Sequence, residues 1–216
     1  MRVLRYIPAL VAVLLMQLSS PGQGGTHSSI RQDLANLDTS QRLSSKDKLQ
    51  LLYAWKRKAE AQRLTHDSVY ARLLHKIGVY EFYVNNRFHV ALDVTLQSLR
   101  INTSGESGAS PGSAATDLYN IAFYYDNLAL HQKALVYYDS AILFAGRYAD
   151  INDVMAGSRV NKAYIYFRMG DYEKAVEEGE RARACALQRR DSVGYLHALN
   201  QRAQALCLQG KFALAQ

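Results

Sequence analysis

The sequence predicts an all-α protein arranged as an α-solenoid of antiparallel helix pairs, and three observations predict it. A set of small, large and aromatic residues recurs every forty-odd positions between residues 67 and 216. Each recurrence carries apolar residues at i, i+3 and i+4, the spacing that lines one face of a 3.6-residue helix. The three prolines stand at positions 8, 21 and 111, so the residue that breaks helix interiors is missing from both long stretches 22–110 and 112–216. With 216 residues, 49% of them hydrophobic, the chain has material for one domain or one repeat array with a sizeable core. That apolar share excludes a disordered chain, and two cysteines exclude a disulfide-built miniprotein.

Residues 1–22 read as a secretory signal peptide. Arg2 and Arg5 precede an apolar run from Tyr6 to Met16, and Ser20 and Gly22 are the small residues flanking an expected cut. The run is short of the roughly 20 apolar residues that span a bilayer, although an uncleaved N-terminal anchor is the alternative. No cysteine follows the run, which argues against a lipid anchor. Removing these residues lowers the formal charge from +7 to +5, because both arginines leave and no acid does. The expected destination is secreted or periplasmic. Residues 23–44, rich in Gly, Ser, Thr and Gln, read as a flexible leader with at most a helical turn near Ile30–Leu37.

The repeat occupies the rest. Ala91, Ala134, Ala175 and Ala215 fall into register at steps of 43, 41 and 40 residues. Three positions before each stands Phe88, His131, Tyr172 or Phe212; nine before stands Phe82, Tyr125, Tyr166 or Leu206; twelve before stands Val79, Ala122, Ala163 or Ala203. Seven after the first three alanines come Ser98, Ala141 and Ala182. These spacings describe two helices per repeat. The small residues let the helix backbones approach, and the aromatic fills the wedge between them. Between the helices, Asn86, Ala129, Gly170 and Gly210 mark a break where a left-handed residue turns the chain. Asp67, Asp117 and Asp191 are expected N-caps, and Thr103–Ala115 an exposed loop. Within that region Asn102-Thr103-Ser104 matches a glycosylation acceptor, relevant only in a eukaryotic secretory pathway. A single helix pair cannot bury its apolar face, so neighbours must stack; an ordinary amphipathic helical bundle is the competing architecture.

The pattern resembles the tetratricopeptide repeat, most clearly in LYNIAFYYDNLALHQKALVYYDSAI (118–142) and NKAYIYFRMGDYEKAVEEGERA (161–182). The resemblance implies a right-handed superhelix with units at about 72–102, 115–147, 156–188 and 196–216, the last incomplete, within an array spanning 45–216 and preceded by a degenerate helix at Ser45–Leu64. His131 and Ala129 stand where the family usually has an aromatic and a glycine. Because the fourth unit stops early, the sequence reads as a piece of a longer protein.

No metal-protease, dithiol, phosphate-loop or serine-hydrolase motif occurs, so no catalytic residue, cofactor, metal or small-molecule substrate is assigned. The six histidines are scattered. Cys185 and Cys207 fall on successive helices and read as semi-buried thiols rather than a pair. Lys56-Arg57-Lys58 and Arg189-Arg190 are interspersed with acids and read as solvated helix faces, which argues against nucleic acid.

In tetratricopeptide-repeat arrays the first helix of each pair lines a concave groove. The resemblance places Lys76, Tyr80 and Tyr83 there, then Tyr119, Asn120, Phe123 and Asn127, then Asn161, Tyr164 and Arg168, and finally Asn200, Gln201 and Gln204. Tyr119 and Val160 replace cations that some relatives use to grip a carboxylate, so that clamp is not reproduced. An aromatic and amide-lined groove suits an extended protein or peptide segment, with Asn120 and Asn161 setting backbone register. The competing view is that the aromatics only pack against the next repeat. The expected function is a non-catalytic scaffold. The alternative is a sensing or recruiting N-terminal region of a signalling protein, with a CHAT-type protease or histidine kinase beyond residue 216 and a membrane helix only in the latter case.

Overall fold

The computed structural model describes residues 23–105, 110–147, 152–189, 200, 203–208 and 210. Among the described residues there are helices and turns and no strand. The chain divides between Ala109 and Ser110 into two compact units.

The first unit holds four helices: α1 (Gln23–Thr39), α2 (Ser45–Ala61), α3 (Ser68–Asn85) and α4 (Phe88–Asn102). Helix α1 corrects the expectation of a flexible leader over 23–44. Ile30, Leu34 and Leu37 repeat at helical spacing and are at most 2% exposed, joining Leu52, Trp55, Leu73, Leu74 and Ile77 in one core. The stripe is only three residues long in an otherwise polar segment, which is why it stood out so little in the sequence. Helix α2 starts as expected: Ser44 caps it, accepting from the Asp47 amide at 3.2 Å. At the start of α3, Asp67 is the N-cap the sequence assigned, accepting from the Val69 and Tyr70 amides at 2.9 and 3.0 Å.

Helices α3 and α4 pack closely because a glycine faces a small stripe. A Cβ on Gly78 would lie 2.3 Å from Thr95 Oγ1 and 3.1 Å from the Ala91 carbonyl oxygen. One turn on, Ser98 Oγ donates to the Ala71 carbonyl at 2.9 Å. The glycosylation candidate fails here: Asn102 is 1% exposed and its amide reaches back toward Ser98 Oγ at 3.4 Å. As the last residue of α4 it faces the interior.

The second unit holds two further pairs, α5 (Pro111–Asn127) with α6 (His131–Ala145) and α7 (Asn152–Arg168) with α8 (Tyr172–Arg189). Helix α5 begins inside the expected Thr103–Ala115 loop, with Ser110 as N-cap and Pro111 in the first turn. Proline's fixed φ suits that position, where its missing N–H costs nothing. Asp117 is therefore not an N-cap; it lies within α5 and is fully buried. The complete pairs span 68–102, 111–145 and 152–189, so each begins about four residues before its expected boundary. Asp191, Phe212 and Ala215 lie outside the described residues.

The repeat frame itself holds. Asn86, Ala129, Gly170 and Gly210 all have left-handed φ, at 53°, 57°, 80° and 73°. In the second unit the turns match bond for bond: the amide three residues after each helix closes onto the carbonyl five residues upstream, Leu130 to Tyr125 and Asp171 to Tyr166, both at 2.9 Å. Ala91, Ala134 and Ala175 are all at most 1% exposed.

Candidate functional site

In the first unit, Lys76, Tyr80 and Tyr83 lie one turn apart on α3. Tyr80 packs against the core, whereas Tyr83 is 67% exposed, its ring edge-on to Phe82 at 4.9 Å. The residue that organises this end was not found by sequence reasoning. Glu81 is buried, and its carboxylate accepts from Tyr53 Oη at 2.5 Å and Asn85 Nδ2 at 2.9 Å, with the Arg87 guanidinium 3.6 Å away. Burial and the Glu81 carboxylate push the Tyr53 phenol up to about 12. It remains a donor at all physiological pH, which suits it to satisfy a buried acceptor.

In the second unit the candidate residues divide into two groups along the helices. The first group is structural. Asn161 on α7 donates through Nδ2 to Tyr119 Oη at 3.1 Å and to Tyr138 Oη at 3.0 Å, tying α5, α6 and α7 together. The Tyr119 and Tyr138 rings meet edge-on at 5.7 Å. Gly157 makes room for this: a Cβ there would lie 3.2 Å from the Tyr119 ring. Both amide hydrogens of Asn161 are used to hold the helices together. Tyr119 likewise packs between repeats. The glycine four residues before Asn161 was the signal available in the sequence.

The second group is exposed. On α5, Asn120 and Phe123 are half-buried and Asn127 is exposed, its Nδ2 donating to the Phe123 carbonyl at 2.8 Å. On α7, Tyr164 is 42% exposed, and the Arg168 guanidinium lies over its ring at 5.6 Å. Arg168 Nη1 is 3.5 Å from Asp126 Oδ1, and the same oxygen is 2.9 Å from His131 Nδ1. This accounts for the histidine at the wedge position: it caps an acid at the end of α5 instead of filling space with a ring. Asp126 was not singled out in the sequence. Further along the chain, Gln204 Nε2 donates to Asn200 Oδ1 at 3.2 Å, both side chains being exposed; Gln201 lies outside the described residues.

Beneath this face runs a buried ionic network, also missed. Lys162 on α7 reaches Asp139 on α6 at 2.5 Å and Glu178 on α8 at 2.8 Å, and Arg159 and Arg181 add contacts to Glu178 at 3.1 and 3.3 Å. Burial alone would push the Glu178 carboxyl up, but Lys162 and Arg159 hold it below the usual range. Burial would likewise lower Lys162, yet its bonds to Asp139 and Glu178 raise it. Cys185 is half-buried and Cys207 exposed, and both are free thiols. Among the described residues no group of three His, Cys, Asp or Glu side chains is placed to hold a metal, and no helix is long and apolar enough to cross a membrane.

Helix pairs of this length, turned by a left-handed residue and sealed by buried alanines, recur along the described residues. The chain's last part carries the family's sequence signature: the tetratricopeptide repeat model matches residues 154–216. No curated relative matches the chain by sequence. Solved structures match its fold over most of its length. BtubC (BKLC) from P. vanneervenii is 15% identical with a TM-score of 0.62, over 91% of this chain and 87% of that one. A putative kinesin light chain from Podosopora anserina with nearly identical TPR-like repeats is 16% identical with a TM-score of 0.63, over 89% of each chain. A STAND signal-transduction ATPase from Pyrococcus horikoshii with a tetratricopeptide-repeat sensor is 18% identical with a TM-score of 0.62, over 94% of this chain but 36% of that one. The described residues form all-α helix pairs similar in fold to these solved tetratricopeptide-repeat structures.

Proposed function

We propose that the chain is a secreted or periplasmic scaffold that binds an extended protein segment across α5 and α7, the first helices of the pairs in its second unit, without catalysis in these residues. One observation carries the binding role. On α5 and α7 an aromatic, an amide and a guanidinium (Tyr164, Asn127, Arg168) stand exposed above a layer, Tyr119 and Asn161, already committed to holding the helices together. Exposed aromatics supply apolar area at low entropic cost, and exposed amides and cations supply backbone and side-chain hydrogen bonds. The secretory address rests on Arg2, Arg5 and the apolar run that follows. The test is selection of a short random-peptide library, displayed with both ends blocked, against the full chain. Peptides recovered by the wild type should be lost by the folded double variant Asn127→Ala/Tyr164→Ala. Equal recovery would reject the assignment of this face.

A second reading has an observation of its own. The chain spans about a third of the Pyrococcus protein, whose repeats are described as a sensor within a larger ATPase. Under this reading the array is the sensing or recruiting part of a longer signalling protein, with a CHAT-type protease or histidine kinase beyond residue 216. The reading frame past Gln216 decides it: a His and Cys dyad on an α/β pattern, or an apolar span followed by a phospho-acceptor histidine, would establish the enzyme.

A further inference from the structure

We infer that Arg168 is the specificity anchor of this face and that it selects segments carrying an acidic side chain. The inference rests on the segment-binding reading above. Arg168 ends α7 with its side chain 40% exposed. Two neighbours fix its position without using its donors. The Tyr164 ring lies under the guanidinium at 5.6 Å, and Asp126 faces Nη1 at 3.5 Å, beyond hydrogen-bonding distance. Among the described residues the guanidinium donates no hydrogen bond. A planar fork with only its Nη1 edge facing a carboxylate and its orientation already set is the group that takes a second carboxylate in a bidentate pair.

The surroundings favour a side-chain carboxylate over a chain end. The other cation on this stretch of α7, Lys162, is buried and engaged by Asp139 and Glu178, so no second positive group stands beside Arg168 on α7 to hold a terminal carboxylate. Asp126 shares its own charge with His131 Nδ1 and faces a single edge of the guanidinium, leaving Nε and Nη2 for the ligand. On α5 the exposed Asn127 follows Asp126 directly, so a segment reaching Arg168 across Asp126 would continue along α5 rather than end there.

The blocked-end library tests this directly. Recovered peptides should share an Asp or Glu at a fixed offset from an apolar residue. For the best of them, replacing that Glu by Gln should weaken binding to the wild type by about 10- to 100-fold, the usual worth of a hydrogen-bonded charge pair. Against Arg168→Met the Glu and Gln peptides should bind alike, and raised salt should narrow the wild-type preference. Helicity by circular dichroism confirms that the variant is folded; Arg168→Lys, which keeps the charge and loses the fork, should retain only part of the preference. Recovered peptides without an acidic consensus would overturn the anchor while leaving segment binding intact. So would an acid preference confined to a library with free C-termini, or equal losses for Glu and Gln peptides on Arg168→Met. Recovery of no peptide at all would remove the segment-binding reading itself.

Discussion

Gly78→Ala probes the packing on which the repeat depends, because two effects of opposite sign meet there. Exposed in a helix, the substitution would stabilise by about 1 kcal/mol, since glycine is that much poorer than alanine in a helix interior. In α3 the new methyl would sit 2.3 Å from Thr95 Oγ1, 3.1 Å from the Ala91 carbonyl oxygen and 3.3 Å from Val94 Cγ2. All three neighbours belong to α4, and Ala91 and Thr95 are fully buried, so relief requires the helix itself to move. Overpacking of this kind costs about 1–3 kcal/mol, and backbone involvement puts it at the upper end. The net expectation is a loss of about 2 kcal/mol, visible as a lower urea midpoint and a melting temperature reduced by about 4–8 °C. Thr95 Oγ1 is buried without a hydrogen-bond partner, so Thr95→Ala removes the closest clash and breaks no bond. In that background Gly78→Ala should be nearly neutral, a coupling of about 1–2 kcal/mol. A stabilised single variant, or the same cost in both backgrounds, would refute the close-approach argument.

The turns give a paired test: Ala129 sits at φ 57° and Gly170, in the equivalent turn, at φ 80° with open space around it. Ala129→Gly should therefore stabilise, and Gly170→Ala destabilise, each by about 1 kcal/mol in urea unfolding. Glu178→Gln should cost about 3 kcal/mol, since it leaves Lys162 and Arg159 in the interior short of a counter-charge. The same network sets the pH profile. The Glu178 carboxyl is held low, so its contribution is complete above the ordinary carboxylate range and disappears as pH falls through the lowered value. Lys162 is held high, so its contribution is complete below the ordinary lysine range and disappears as pH rises through the raised value. Stability measured against pH should have a shallower acid limb in Glu178→Gln than in the wild type. Asn161→Ala should lower stability by about 1–3 kcal/mol by removing its two hydrogen bonds to the Tyr119 and Tyr138 hydroxyls; an unchanged melting curve would show that the joint does not hold the helices together.

The repeat was legible because its constraints act on single residue types. A left-handed turn demands Gly, Asn or a strained Ala, and a close helix approach demands a small side chain, so Asn86, Ala129 and Gly170 together with Ala91, Ala134 and Ala175 expose the frame. Helix starts were less legible. Asp117 has the chemistry of a cap and the environment of a core residue, because Pro111 starts α5 two turns earlier. Helix α1 escaped notice because three apolar residues suffice when a preformed core receives them. The site was least legible, since residues four apart on a first helix look alike in sequence whether they face a neighbouring repeat or solvent.

The division on α5 and α7 follows from their pairing. Tyr119 meets Asn161 across 42 positions, and Asp126 meets Arg168 seven residues further along both helices, which preserves the offset. Seven residues are about two helical turns, so the same face of each helix is presented again at the next level. The two rungs differ in chemistry. At the first, neutral groups hydrogen-bond at 3.0–3.1 Å around an edge-on ring pair, and Tyr138 closes the layer from α6. At the second, opposite charges stand 3.5 Å apart without a hydrogen bond, with one partner 40% exposed. An exposed pair of that geometry contributes little to stability, because water screens it and competes for its donors. The rung that does least to hold the repeats together is therefore the one whose groups can be exchanged for a partner's at small cost. That second rung is the one on which the proposed segment-binding face is placed.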